Sequence, residues 1–131
     1  MEKKFVKVGK LREGGYLLIE DVPCQIKSIE KSKPGKHGAA KARIMGIGIF
    51  NGQKKTLLKS TTDEGEVPIV TRGNAQINAI MGDTLSLMDI TSFEVFDTPK
   101  PKDVPNLKQG DEIEYMHLDD QVRVLRKKSA E

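Results

Sequence analysis

One short segment concentrates the residues that could do chemistry. KSKPGKHGAAKAR, residues 31–43, carries six basic side chains in thirteen positions, counting its histidine. Lys36 lies at its centre, and Pro34, Gly35 and Gly38 favour a turn there rather than a helix. We therefore expect an exposed loop whose lysine amine reaches outward, where it could bind phosphate, form a covalent intermediate or be modified.

A nucleotide-binding loop of the Walker A type is excluded. That motif needs a serine or threonine directly after Gly-Lys, because the hydroxyl holds magnesium. Here Gly35-Lys36 is followed by His37, and Glu30 stands where the first glycine of the motif is required.

Two other chemistries remain to be compared for this lysine. A lysine that forms a Schiff base is usually desolvated, which lowers its pKa. Lys33 and Lys41 bring charge close to Lys36, but the segment offers no apolar walls, so a lysine-dependent enzyme is disfavoured. Either Lys36 is presented for recognition or modification, or the basic loop contacts RNA phosphates generically. Composition alone favours the generic contact.

The charge of the chain is unevenly distributed. Residues 1–66 hold 14 lysines and arginines against 8 aspartates and glutamates, whereas residues 67–131 hold 8 against 11. The excess lies around the basic segment, which favours a polyanionic partner such as nucleic acid. Aromatic residues make up only 5% of the chain, so base stacking is not expected to be a major binding device.

Several classes of protein and site are not expected. No apolar run approaches the roughly 20 residues of a membrane span, and no signal peptide follows the first charges. The single cysteine, Cys24, cannot form an internal disulfide, which fits a reducing cytoplasm. Cys24 and His117 have no partners at metal-ligand spacing, so we expect structural roles, no metal site and no bound cofactor.

Two charged clusters near the C-terminus are explained more simply by local structure than by a function. Asp119-Asp120 is typical of a turn rather than of a catalytic pair. A smaller basic cluster could contact RNA, although a solvated strand end is the simpler interpretation; its members are Arg123, Arg126, Lys127 and Lys128.

Short alternating runs predict strands throughout the chain. Strand patterning before the basic segment ends near Ile29 and resumes near Ala42, so the segment joins two strands. Gly46 and Gly48 in the next apolar run predict close backbone approach or a bend. Lys54–Ser60 is compatible with one helical turn. Later alternating pairs are Leu85/Leu87, Phe93/Val95, Ile113/Tyr115 and Val122/Val124.

Turn signals between these runs favour small barrels. They are Gly14-Gly15, Asn51-Gly52, Gly82-Asp83 and Gly110-Asp111. Acidic residues, a change in charge balance and restarted strand patterning predict a boundary near residues 67–71. We therefore expect two domains, residues 1–68 and 69–131, with the proline-rich stretch at residues 98–106 as a loop inside the second.

The segment SKPGKHGAAKAR strongly resembles the modification loop of the translation initiation factor 5A family, whose form is S-K-x-G-K-H-G-x-A-K. Eight positions match: Ser32, Lys33, Gly35, Lys36, His37, Gly38, Ala40 and Lys41. EGGYLLIEDVPCQI before the loop and VPIVTRGNAQI near residue 70 are also similar to that family. The proline at position 34 resembles archaeal rather than eukaryotic members.

The resemblance implies an all-β fold, an N-terminal SH3-like barrel followed by a C-terminal five-stranded OB-fold. It implies a non-enzymatic factor that binds the exit-site region of the ribosome and peptidyl-tRNA, with Lys36 converted to deoxyhypusine or hypusine. Deoxyhypusine synthase would supply an aminobutyl group from spermidine, using NAD. Such a factor promotes peptide-bond formation at proline-rich stalls and assists termination.

We expect supporting roles for the remaining residues of the basic segment, as contacts to the synthase, the ribosome or RNA; they are Lys33, Gly35, His37, Gly38, Lys41 and Arg43. For His37 a solvated loop position without a partner is an equal alternative. The alternative is a two-domain RNA-binding protein or RNA chaperone that uses the basic loop without lysine modification.

Overall fold

The computed structural model describes residues 2–33 and 40–128. Within these ranges the chain forms eleven strands, one short 3₁₀ turn and no α-helix, which confirms the all-β prediction. The chain divides into two compact units, residues 1–69 and 70–131. The predicted boundary lies one residue earlier, and the independent folding of the two predicted domains stays a prediction.

The first unit contains six strands in two antiparallel sheets. Four strands pair in the order β2-β3-β4-β5, and β1 pairs with β6. The elements are β1 Lys3–Lys7, the 3₁₀ turn Val8–Lys10, β2 Tyr16–Ile19, β3 Val22–Ser32, β4 Lys41–Gly48, β5 Lys54–Ser60 and β6 Glu64–Pro68. The two sheets are arranged as expected for an SH3-like barrel.

Alternate residues of these strands form one apolar core. Its fully buried members are Val8, Leu17, Ile19, Cys24, Ile26, Ala42 and Ile44. Gly46 lets β4 approach β3 closely, because a Cβ there would lie 2.9 Å from Cβ of Cys24. This confirms the expected close backbone approach at Gly46.

The second unit is a five-stranded antiparallel sheet with the order β11-β10-β7-β8-β9. Its strands are β7 Thr71–Met81, β8 Thr84–Asp89, β9 Val95–Pro99, β10 Glu112–Leu118 and β11 Gln121–Lys127. The outer strands β9 and β11 come together where the Thr98 hydroxyl donates to the carbonyl of Val122 at 3.4 Å. The proline-rich stretch connects β9 to β10, so it lies inside the second unit as predicted.

Tyr115 links several strands of the second unit. Its ring lies where a side chain on Gly73 would otherwise be, since a Cβ at Gly73 would be 2.9 Å from the ring. Its hydroxyl donates to Oδ2 of Asp89 at 2.5 Å. The remaining core is aliphatic, with Ala75, Ile77, Leu85, Leu87, Ile113 and Val124 buried around it.

Two local predictions are wrong. Lys54–Ser60 is strand β5 rather than a helical turn, because its backbone pairs with β4 and Leu57 packs against the core. Phe93 does not alternate with Val95 in a strand. It precedes β9 with φ of +63°, and its side chain is 68% exposed.

No helix in the described ranges is long and apolar enough to span a membrane.

Candidate functional site

Strands β3 and β4 remain paired up to the base of the basic segment. The last register pairs are Ile29↔Ile44, Glu30↔Arg43, Lys31↔Ala42 and Ser32↔Lys41. The strands therefore run further than the predicted limits near Ile29 and Ala42. The alternation of apolar residues ends before the pairing of β3 with β4 ends. Exposed polar residues form the last backbone pairs, so the apolar pattern underestimates the length of both strands.

A β-bulge precedes this paired extension. The β3–β4 register shifts between Ile26 and Ser28, which makes Lys27 the extra residue. Such a bulge bends its strand and increases the local twist. Ile26 before the bulge is fully buried, whereas Glu30 to Ser32 after it are exposed. The far end of the β3–β4 hairpin thus lies away from the core.

Three contacts hold the base of this hairpin. Lys31 Nζ donates to the carbonyl of Gly9 in the 3₁₀ turn at 3.2 Å. The Thr61 N–H donates to the carbonyl of Ala40 at 2.9 Å, next to the end of β5. Lys41 also pairs with Ser60 of β5. The hairpin base is therefore a fixed platform, and Lys31, which the sequence shows only as one more basic residue, is part of its support.

Exposed basic residues surround the hairpin base. Lys33, Lys41 and Arg43 are all exposed, and Glu30 is the acidic residue opposite Arg43 in the ladder. An open groove of about 580 Å³ lies beside Arg43. Its lining residues are Glu30, Lys31, Ser32, Arg43, Thr56 and Leu58. Exposed positive charge attracts a polyanion, with a strength that falls as salt is added.

The centre of the predicted loop is not among the described residues. Gly35, Lys36, His37 and Gly38 lie outside the ranges 2–33 and 40–128. Their predicted roles stay predictions, and the structure contributes the position and exposure of the residues on either side.

The other residues singled out in the sequence have structural surroundings. Cys24 is buried, its Sγ lies 3.3 Å from the carbonyl of Val22, and burial raises the pKa of its thiol. Asp119 and Asp120 form the turn between β10 and β11, as predicted. The His117 ring stacks beside Tyr115, with the ring centroids 6.0 Å apart.

The C-terminal basic cluster is largely paired within its own unit. Arg123 contacts Asp103 at 3.1 Å, Arg126 contacts Glu114 at 3.2 Å, and Lys127 contacts Asp111 at 3.0 Å. These contacts favour a structural role over RNA binding. In residues 2–33 and 40–128, no group of three histidine, cysteine or acidic side chains could hold a metal ion.

Comparisons with known proteins agree with this architecture. Residues 3–63 match the family model described as translation initiation factor 5A-like, N-terminal. The chain is 45% identical to translation initiation factor 5A of Methanocaldococcus jannaschii, with 94% of this chain and 93% of that protein covered. It is 40% identical to the factor of Sulfurisphaera tokodaii, over 98% and 100% of the two chains.

A solved structure extends the likeness to both units. The structure titled eukaryotic translation initiation factor 5A from Methanococcus jannaschii superposes with a TM-score of 0.90 at 42% identity, over 97% of this chain and 98% of that one. This match confirms the predicted SH3-like barrel followed by a five-stranded OB-fold. The chain belongs to the translation initiation factor 5A family.

Proposed function

We propose that this protein is a ribosome-binding translation factor whose working group is a deoxyhypusine or hypusine side chain at Lys36. The observation that carries the proposal is the paired β3–β4 hairpin, which ends at Ser32 and Lys41 on either side of the segment containing Lys36. Membership of the translation initiation factor 5A family and the match to its loop pattern support the same role.

The hairpin suits the presentation of one long side chain. Its base is held by hydrogen bonds from Lys31 and Thr61, on either side of the segment that contains Lys36. Glycine has no side chain, so the glycines in the sequence of this segment would leave a modifying enzyme access to the lysine. A fixed base and an accessible amine are both needed for a substrate of a transferase.

The modification itself is a group transfer performed by a partner enzyme. The Lys36 amine forms a bond to the four-carbon chain of spermidine, the C–N bond to the remaining part breaks, and diaminopropane leaves. NAD takes up a hydride and returns it, so there is no net oxidation. The product carries a second amine, and it extends the lysine by about 6 Å.

This extended cation would support peptidyl-tRNA. The exposed lysines and arginine at the hairpin base would contact ribosomal or transfer RNA near the exit site through phosphates. The modified Lys36 would reach toward the peptidyl-transferase centre and hold the end of the tRNA in position. Positioning lowers the barrier to peptide-bond formation without the factor itself catalysing a reaction, and proline-rich stalls gain most from it. The same positioning would assist termination.

The second candidate is an RNA-binding protein or chaperone with an unmodified loop. The exposure of Lys33, Lys41 and Arg43 favours it, because these side chains could bind phosphates without any modification. In that case the basic residues should contribute about equally.

Replacement of Lys36 by arginine separates the two functions. Arginine keeps the charge but does not accept the aminobutyl group by the same chemistry. We expect Lys36→Arg to abolish support of a proline-rich translation reporter while leaving the fold unchanged, as measured by circular dichroism. Lys33→Arg and Lys41→Arg are the matched controls and should retain most activity.

Two outcomes would count against the modified lysine. Normal reporter activity of Lys36→Arg would contradict the modification. Equal losses in Lys33→Gln, Lys36→Gln and Lys41→Gln would favour the RNA-binding function.

A further inference from the structure

The turn between β4 and β5 contains a sequence that can modify itself. Asn51 precedes Gly52, whereas Asn74, Asn78 and Asn106 precede alanine or leucine. A backbone nitrogen can attack the side-chain amide of the asparagine before it, and a glycine has no side chain to hinder that attack. Asn51 is therefore the asparagine of this chain whose sequence most favours deamidation, and the geometry of the turn decides whether the reaction proceeds.

The reaction needs no enzyme and no oxidant. The Gly52 nitrogen forms a bond to Cγ of Asn51, the bond from Cγ to Nδ2 breaks, and Nδ2 leaves as ammonia with the proton of the Gly52 N–H. Water then opens the cyclic imide at either of its carbonyl carbons, which gives aspartate or isoaspartate. The first step requires a free Gly52 nitrogen and a side-chain amide that can turn its carbon toward that nitrogen.

The side-chain amide of Asn51 is held over Gly48. Its Oδ1 accepts a hydrogen bond from the Gln53 N–H at 3.0 Å. A Cβ at Gly48 would collide with the same oxygen, so the amide occupies the space that a side chain at position 48 would fill. The absence of a side chain at Gly48 thus provides the place where this amide is held.

The attacking nitrogen is held as well. The Gly52 N–H donates to the carbonyl of Gly48 at 3.0 Å, and the Gly48 N–H donates to the carbonyl of Gln53 at 2.7 Å. Both reacting groups are therefore engaged in other hydrogen bonds in the folded protein, and a local opening of the turn must precede the attack. Asn51 and Gly52 are exposed, so water reaches the turn once it opens.

We infer that Asn51 is a modification site that deamidates through a cyclic imide when the β4–β5 turn opens, and that its place over Gly48 suppresses the reaction in the folded protein. The product carries a negative charge instead of a neutral amide, and isoaspartate adds one carbon atom to the backbone of a closed turn. Modified chains should therefore be less stable. The turn lies at the Gly48 end of β4 and the segment with Lys36 at the Lys41 end, so the site is independent of Lys36.

The test compares the full chain folded in buffer with the full chain unfolded in urea, at the same pH and temperature. Peptide mass spectrometry measures the conversion of each asparagine to its acid. We expect Asn51 to convert about tenfold or more slowly in the folded protein, because the two hydrogen bonds must break before the attack. In urea, Asn51 should convert faster than the internal controls Asn74, Asn78 and Asn106.

Gly48→Ala removes the place of the amide. Gly48 does not have a positive φ, and the alanine methyl would collide with a side-chain oxygen that can move aside, so the fold should be retained, as circular dichroism measures. We expect the displaced amide to convert about fivefold or more faster than in the folded parent chain. Gly46→Ala is the matched control on the same strand, because its Cβ would meet Cys24 instead of Asn51. It should change the conversion rate of Asn51 less than Gly48→Ala does.

Each outcome supports or overturns the inference. Equal conversion of Asn51 in the folded and unfolded parent chain would overturn it, and this comparison needs no variant. An unchanged rate in folded Gly48→Ala would also overturn it. Equal acceleration in Gly46→Ala and Gly48→Ala would assign the reaction to a general loss of stability and not to the place over Gly48. Slow conversion in the folded parent chain together with the larger acceleration in Gly48→Ala would support it.

Discussion

Replacement of Asp89 by asparagine should destabilise the OB-fold in a pH-dependent way. The Asp89 carboxylate accepts hydrogen bonds from the Tyr115 hydroxyl at 2.5 Å and from the N–H groups of Thr91 and Ser92 at 2.8 and 2.9 Å. These bonds, above all the one from Tyr115, hold the pKa of Asp89 at about 2 instead of 3.8. Burial is the main cause that raises the pKa of Tyr115, and the hydrogen bond to Asp89 is the second cause.

The size of the effect follows from the lowered pKa. The shift from 3.8 to about 2 corresponds to about 2 kcal/mol for a fully shielded group. Asp89 is only partly buried, so solvent screening reduces this to about 1 kcal/mol. Because the pKa is lower in the folded state, the stabilisation is present above pH 4 and is lost as the pH falls from about 4 to about 2.

Urea unfolding at pH 7, 4, 3 and 2, followed by NMR signals of residues 70–131, measures this contribution. Asp89→Asn should be less stable than the parent chain by about 1 kcal/mol at pH 7, and the difference should vanish near pH 2. The exposed Asp97→Asn should show no such dependence. A difference that is equal at pH 7 and pH 2, or an Asp89 pKa measured near 4, would refute the assignment of the stabilisation to this carboxylate.

Four further substitutions test other features of the protein. Gly46→Ala should lower the free energy of unfolding by about 1–3 kcal/mol, because the Cβ of the alanine would lie 2.9 Å from Cβ of Cys24. An unchanged melting temperature would contradict the close packing. Phe93→Gly should raise the free energy of unfolding by about 0.5–1 kcal/mol, because a left-handed conformation costs an exposed phenylalanine more than it costs glycine. A loss of stability in denaturant would show that the Phe93 ring makes a stabilising contact. Lys33→Gln and Lys41→Gln should each reduce the salt slope of ribosome binding by about 1, as measured by pelleting across a salt series, if each lysine contacts one phosphate. Unchanged slopes would exclude such contacts.

Much of the fold can be predicted from local sequence signals. Turn residues such as Gly52 and Gly82 adopt positive φ in the connections β4–β5 and β7–β8, where the sequence predicts turns. The close approach at Gly46 is also predictable, because a glycine within an apolar run often marks a place where another backbone comes near. The sequence signal for each of these features lies in residues that are neighbours in the chain, even where the contact itself is with a distant strand.

The features that the sequence does not reveal depend on distant partners. Strand β5 acquires its conformation from pairing with β4, which the local pattern of Lys54–Ser60 does not specify. The contact between Asp89 and Tyr115 joins residues 26 positions apart.

Some features of the candidate site can likewise be predicted from the sequence, and others cannot. The loop pattern around Lys36 indicates a modification site through its resemblance to a family, and that assignment stays a prediction. The structural role of Lys31 is not visible in the sequence, because its partner is the backbone carbonyl of Gly9. The exposure of Lys33 and Lys41 at the hairpin base agrees with the roles that the sequence suggests.

The chemical state of Lys36 in the cell decides whether the proposed function is correct, and peptide mass spectrometry of the protein isolated from its own cells measures that state. We expect the peptide that contains Lys36 to carry one added aminobutyl group, with or without an additional oxygen. The peptides that contain Lys33 and Lys41 should carry none. An unmodified Lys36 in cells that contain spermidine and deoxyhypusine synthase would contradict the proposed function.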